Sequence, residues 1–156
     1  MKLLILGLIF ASISYMGFQY GSKYKEKESF YNEFSKFLIN LKSQINFLKL
    51  DLISIFKNYK TKDKNLTILL KNFENNLTEE TTVNLTILNE DENLEISTFL
   101  KGLGKTDCLT QNDFIEKHIE IFNKKLKEKK ELNIKYGNMY KKLGVLIAFL
   151  VCIVLI

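Results

Sequence analysis

The sequence predicts an all-α fold, a helical bundle set between an N-terminal and a C-terminal transmembrane helix, and two observations carry that prediction. Apolar runs stand at both ends of the 156-residue chain, and between them apolar side chains recur at spacings of three and four. The closing run, Leu143 to Ile156, reads LGVLIAFLVCIVLI without one charge. Its 14 residues rise about 21 Å as a helix, short of a hydrocarbon core of roughly 30 Å, so the spanning unit is expected to begin near Tyr140. Lys141 and Lys142 are placed to snorkel into the headgroup layer. Runs this short also occur as buried core helices, but a core helix needs chain packed around it on all sides, so a C-terminal anchor is the reading adopted.

At the other end, Lys2 precedes LLILGLIFASISYMGF, which is apolar apart from Ser12, Ser14 and Tyr15. A signal peptide shares this charged start and apolar centre. Small residues in the cleavage pattern are poorly placed, however, and the stretch from Leu3 to Tyr20 suits a retained span. The resulting layout is a first transmembrane helix over 1–20, a helical domain over 21–142 and a second transmembrane helix over 143–156. Lys23, Lys25 and Lys27 flank the first span on the inner side and Lys135, Lys141 and Lys142 flank the second, against Lys2 alone outside, so the middle is expected in the cytoplasm.

Composition bounds the function. With 46% hydrophobic and 26% charged residues the chain is neither disordered nor uniformly membranous. Every one of the 23 positive side chains is lysine, so the formal charge of +5 comes without the bidentate arginines that read phosphate or bases, and no nucleic-acid partner is expected. Cys108 in a polar turn and Cys152 in the terminal run do not suggest a disulfide framework. Three Asn-x-Thr sequons, at Asn65, Asn76 and Asn84, fit chance in a chain this rich in Asn and Thr.

Within the middle, Phe30, Phe34, Phe37, Leu41, Ile45, Leu48 and Leu52 mark one face of a long helix from Lys23 to about Tyr59, with Asp51 or the following residues able to divide it. That face suits packing into its own domain, with self-association as a coiled coil the alternative. Leu66, Leu69, Leu70, Phe73 and Leu77 form a second stripe. Residues 79–88 alternate at Val83, Leu85 and Ile87 as a strand would, yet no other run could partner a strand, so helix is expected. A further helix runs from about Asp91, with Ile96, Phe99, Leu100 and Leu103 on one side, to Gly102 or Gly104. Thr110 and Asp113 look like a capping box opening the last helix, whose apolar side is Phe114, His118, Ile121, Phe122 and Leu126. From Asn123 to Glu131 this helix is expected to leave the domain as a charged stalk.

Charge is divided between halves. Asn72 to Leu100 holds Glu74, Glu79, Glu80, Glu90, Asp91, Glu92 and Glu95 without a lysine, and Lys117 to Lys142 is lysine-rich. The halves could meet each other or face a partner, and Glu79, Glu80, Glu90 and Glu92 are the candidate partner-binding residues. Gly104, Lys105 and Thr106 match the end of a phosphate-binding loop, but its first glycine is replaced by Phe99 and a helix rather than a strand is expected before it. His118 is the sole histidine, suits a packed position, and builds neither metal cluster nor triad. No enzyme, cofactor or metal is expected.

The layout resembles the stage III sporulation protein AB family almost from end to end. LKSQINFLKLDLISIF at Leu41 to Phe56, LKGLGKTDCLTQ at Leu100 to Gln111 and YKKLGV at Tyr140 to Val145 resemble its motifs, with Gln44 where an acid is usual, Asp51 where proline is usual and the tryptophan missing. The resemblance implies a helical cytoplasmic domain like that of the inner-membrane platform proteins of type II secretion systems. It also implies a non-catalytic scaffold in the forespore-facing membrane of the mother cell, within a channel complex that supports late forespore gene expression. The implied partners are the lipid bilayer, other proteins of that complex and a secretion-type ATPase. The alternatives are a secreted, C-terminally anchored binding protein and a nucleotide-binding protein using Lys105.

Overall fold

The computed structural model describes residues 2–48, 51–75, 83–105 and 108–155. It is all-α: among the described residues there is no strand. The helices are α1 (Lys2–Leu48), α2 (Leu52–Asn58), α3 (Lys64–Asn75), α4 (Glu90–Gly102), α5 (Cys108–Leu132) and α6 (Asn138–Leu155), with a π-helical turn, Asn133–Gly137, joining α5 to α6. The apolar stretch expected as the first span and the long amphipathic helix expected after it are one helix, α1. Two compact units result, one of residues 1–28 with 127–156, the other of residues 29–126.

The first unit is an antiparallel helix pair. From one end to the other, the Cys152 thiol faces the Leu6 carbonyl at 3.7 Å, Phe149 meets Phe10 edge-on at 5.0 Å, and Tyr140 stacks on Tyr24 at 5.9 Å. At the far end Asn133 donates to the Glu28 carboxylate at 2.6 Å. Between these contacts the backbones come together at glycine. A Cβ on Gly17 would lie 2.6 Å from the Gly144 Cα, and a Cβ on Gly21 would lie 2.5 Å from the Gly137 carbonyl oxygen. Gly17 and Gly21 are four residues apart and share one helix face, the small-residue spacing by which helices approach in lipid. The outer faces are bare hydrocarbon: Leu4, Leu8, Ile153 and Val154 are each at least 70% exposed. Both helices are long and apolar enough to cross a membrane.

The second unit closes around aromatic rings. Phe30, Phe34, Phe37 and Leu41 on α1 are fully buried and Ile45 nearly so, as their spacing predicts, and Tyr31 and Leu38 widen the buried face. The face is covered within the chain. Phe34 is the meeting point, with Phe30 stacked at 5.7 Å, Phe122 of α5 edge-on at 4.9 Å and Phe99 of α4 edge-on at 6.1 Å. Phe37 meets Phe56 of α2 at 5.0 Å, and Phe56 stacks on Phe73 of α3 at 4.3 Å.

Breaks in the chain have local causes. Asp51 divides the long helix as foreseen, its carboxylate accepting from the Ser54 N–H at 3.2 Å to cap α2. Asp63 does the same for α3, accepting from the N–H groups of Asn65 and Leu66 at 3.0 and 3.1 Å. The helix expected over 79–88 is not formed in its described part. Residues 83–85 are irregular and 86–88 turn, because Ser97 and Asn93 on α4 take the Val83 and Leu85 N–H groups at 2.8 and 2.9 Å while Leu85 and Leu88 enter the core. The other part, with Leu77 and the sequon at Asn76, lies outside the described residues. The last helix begins at Cys108, so Thr110 stands inside its first turn and is not its cap.

Two measurements on the detergent-solubilised chain test this packing. Phe34→Ala should lower unfolding stability by about 3–5 kcal/mol, and Phe34→Leu by clearly less, in denaturant titrations. Glu33 accepts from Lys36 at 2.7 Å and from Thr61 at 3.1 Å, and Lys36 above all holds its carboxyl below the ordinary 4.5. Its contribution is therefore present above that value and lost as pH falls through the lower folded value. Glu33→Gln should flatten that part of the acid-side fall in melting temperature and leave the profile near neutrality parallel to the parent.

Candidate functional site

The charged surface of the second unit is built on α4 and α5. Asn89 opens α4 with a complete capping box: its side chain accepts from the Glu92 N–H at 2.8 Å, and the Glu92 carboxylate accepts from the Asn89 N–H at 2.9 Å. Glu92 is thereby buried at the helix start and does not present an open acidic face. Glu90 and Asp91 are exposed in the first turn, where their charge also suits the helix dipole. Glu79 and Glu80 lie outside the described residues.

The acidic and basic halves do meet where Lys125 of α5 pairs with Glu95 of α4. A second ion pair joins Lys42 of α1 to Glu116 of α5 at 3.0 Å. Both involve partly exposed side chains, so their value lies in fixing register more than in stability. Asn123, at the start of the expected stalk, accepts from Ser35 of α1 and so still belongs to the packed unit. The boundary falls just after Leu126.

The residues singled out for chemistry sit apart. His118 packs among Phe114, Phe99 and Phe122 at 4.2, 4.9 and 6.3 Å, and its Nδ1 lies 2.7 Å from the Phe114 carbonyl oxygen, which makes that nitrogen the donor. Lys105 is exposed in the turn after α4, and the helix expected before the Gly-Lys-Thr sequence is present. Gly104 adopts φ +76°, the left-handed conformation that lets the chain leave α4. Among the described residues no three His, Cys, Asp or Glu side chains gather as a metal site.

The described residues thus give a helix pair with apolar outer faces, a helical unit with an aromatic core, and a left-handed Gly104 just past the end of α4. The model of the stage III sporulation protein AB family matches residues 2–156. The chain belongs to the stage III sporulation protein AB family. No curated protein and no solved structure matches it. The segments that resemble this sporulation family fall at three joints of the fold. Leu41 to Phe56 reaches from α1 into α2, and there Asp51 starts the new helix by capping it. Leu100 to Gln111 holds the end of α4 and the start of α5, and the Phe114 ring lies so close to Gly102 that an added Cβ would come within 2.5 Å of it. Tyr140 to Val145 brings in Gly144, the partner of Gly17. The glycine pairing was open to sequence reading, since Gly17 and Gly21 carry the spacing, but only the register of α6 shows what they meet.

Proposed function

We propose that the chain is a non-catalytic platform of the channel complex between mother cell and forespore. Its two apolar helices anchor it in the forespore-facing membrane, and its aromatic-cored unit docks a secretion-type ATPase from the mother-cell cytoplasm. The observation that carries this reading is family membership over residues 2–156, which takes in both apolar helices and all that lies between them. Sporulation follows from the family. The platform role is supported by the division of labour in the chain, with one unit given to hydrocarbon-facing helices and the other to a closed core with charged surface. The cytoplasmic side is supported by the lysines flanking the inner ends of both spans. Glu90, with Asp91 beside it, is the acidic surface assigned to the ATPase, and Glu79 and Glu80 are assigned to it from the sequence alone. Glu92 is left to the helix cap.

Two outcomes are expected. Reversing Glu79, Glu80 and Glu90 to lysine should weaken capture of the ATPase by about tenfold, or ~1.4 kcal/mol, with the melting temperature of the chain held. Equal capture at equal stability would remove that surface. In sporulating cells, a membrane-impermeant maleimide should label Lys60→Cys only after the mother-cell membrane is opened; labelling of intact cells would place the middle outside and favour the secreted, anchored alternative.

A further inference from the structure

Where the helix pair of the first unit leaves its apolar stretch, it opens a pocket of about 550 Å³. Tyr20, Lys23, Tyr24 and Lys27 line it from α1, one and two turns beyond the end of the first span, and Lys129 and Tyr140 line it from the returning segment. Its wall thus carries three ammonium groups and three phenols, and none of the lining residues is acidic. Lys129 also pairs with the exposed carboxylate of Glu128 at 3.2 Å, outside the lining. Tyr20 closes one apolar run and Tyr140 opens the other, which is the depth at which tyrosines mark the headgroup layer.

We propose that this pocket holds the phosphate headgroup of an anionic phospholipid. The inference rests on the membrane-spanning reading of the two apolar helices and is independent of the ATPase. A basic pocket between spanning helices on the lysine-rich side is where phosphate headgroups are held, and three compact ammonium charges suit a phosphodiester as point charges. The phenols give direction to the site. Tyr24 and Tyr140 stack at 5.9 Å, Tyr24 and Tyr136 lie 6.0 Å apart, and the Lys23 ammonium sits 5.2 Å over the Tyr20 ring. Partial desolvation, and then the neighbouring Tyr140, hold the Tyr24 phenol above its ordinary 10.0, so it stays protonated as a donor. The adjoining outer faces are apolar, so acyl chains of a lipid seated here would continue along them. A free phosphate would leave that contact unused.

The test uses the full chain in mild detergent and counts retained lipid by native mass spectrometry. Phosphatidylglycerol should be retained at least tenfold better than phosphatidylcholine. Replacing Lys23, Lys27 and Lys129 together with Gln should erase that preference, while Gln at the exposed Lys60, Lys71 and Lys101 of the second unit should leave it intact. If the triple variant loses helicity, Lys23→Gln alone should lower retention several-fold and Lys23→Arg should restore it. Millimolar inorganic phosphate should fail to compete. Equal retention of the two lipids, indifference to the pocket lysines, or displacement by inorganic phosphate would each overturn the proposal. A full chain that stayed monomeric and soluble without detergent would instead overturn the membrane reading itself.

Discussion

The close approach of α1 and α6 at Gly17 and Gly144 is the constraint on which the apolar helix pair of this protein depends. Hydrocarbon offers apolar side chains no reward for leaving it, so two greasy helices associate only where their backbones can come near enough for dense van der Waals contact. A Cβ at either glycine would run into the opposing Cα at 2.6 or 2.7 Å. The same closeness continues to Gly21 and Gly137, and it sets the register that places Phe10 against Phe149 and Tyr24 against Tyr140. The π-helical turn adds its own fastening, since Asn133 at its start reaches the Glu28 carboxylate.

The second unit solves the opposite problem. In water the burial of rings is itself the driving force, and Phe34, Phe99 and Phe122 bring α1, α4 and α5 together around edge-on contacts. Polar groups then decide where the helices begin. Asp51, Asp63 and the Asn89–Glu92 box each satisfy N–H groups that a helix start would otherwise leave unpaired. One long helix, α1, supplies residues to both units, so a single stretch of sequence changes its packing rule from glycine contact to aromatic burial between Gly21 and Phe30.

Family membership gives sporulation, and the fold gives the proposed role its physical shape. A scaffold needs a fixed place in the membrane and a surface to offer. In the proposed role the helix pair would supply the first, with tyrosines and lysines gathered at the end of its apolar stretch. The second unit offers a surface on which opposite charges are partly matched inside the chain, as at Glu95 and Lys125. Glu92 illustrates the difference, because its charge belongs to a helix start.

By itself the sequence determined the helical class, the two apolar runs, the buried stripe from Phe30 to Ile45 and the break at Asp51, because periodicity, length and capping chemistry are local properties that need no neighbour to be read. Only the tertiary structure decided the rest. Residues 83–88 stay out of a helix because Ser97 and Asn93 accept from the Val83 and Leu85 N–H groups, α5 begins ahead of the capping pattern at Thr110, and Gly17 matters because Gly144 lies across from it. Each of these depends on which distant residue arrives, and a pattern along one chain does not carry that information until the chain has folded back on itself.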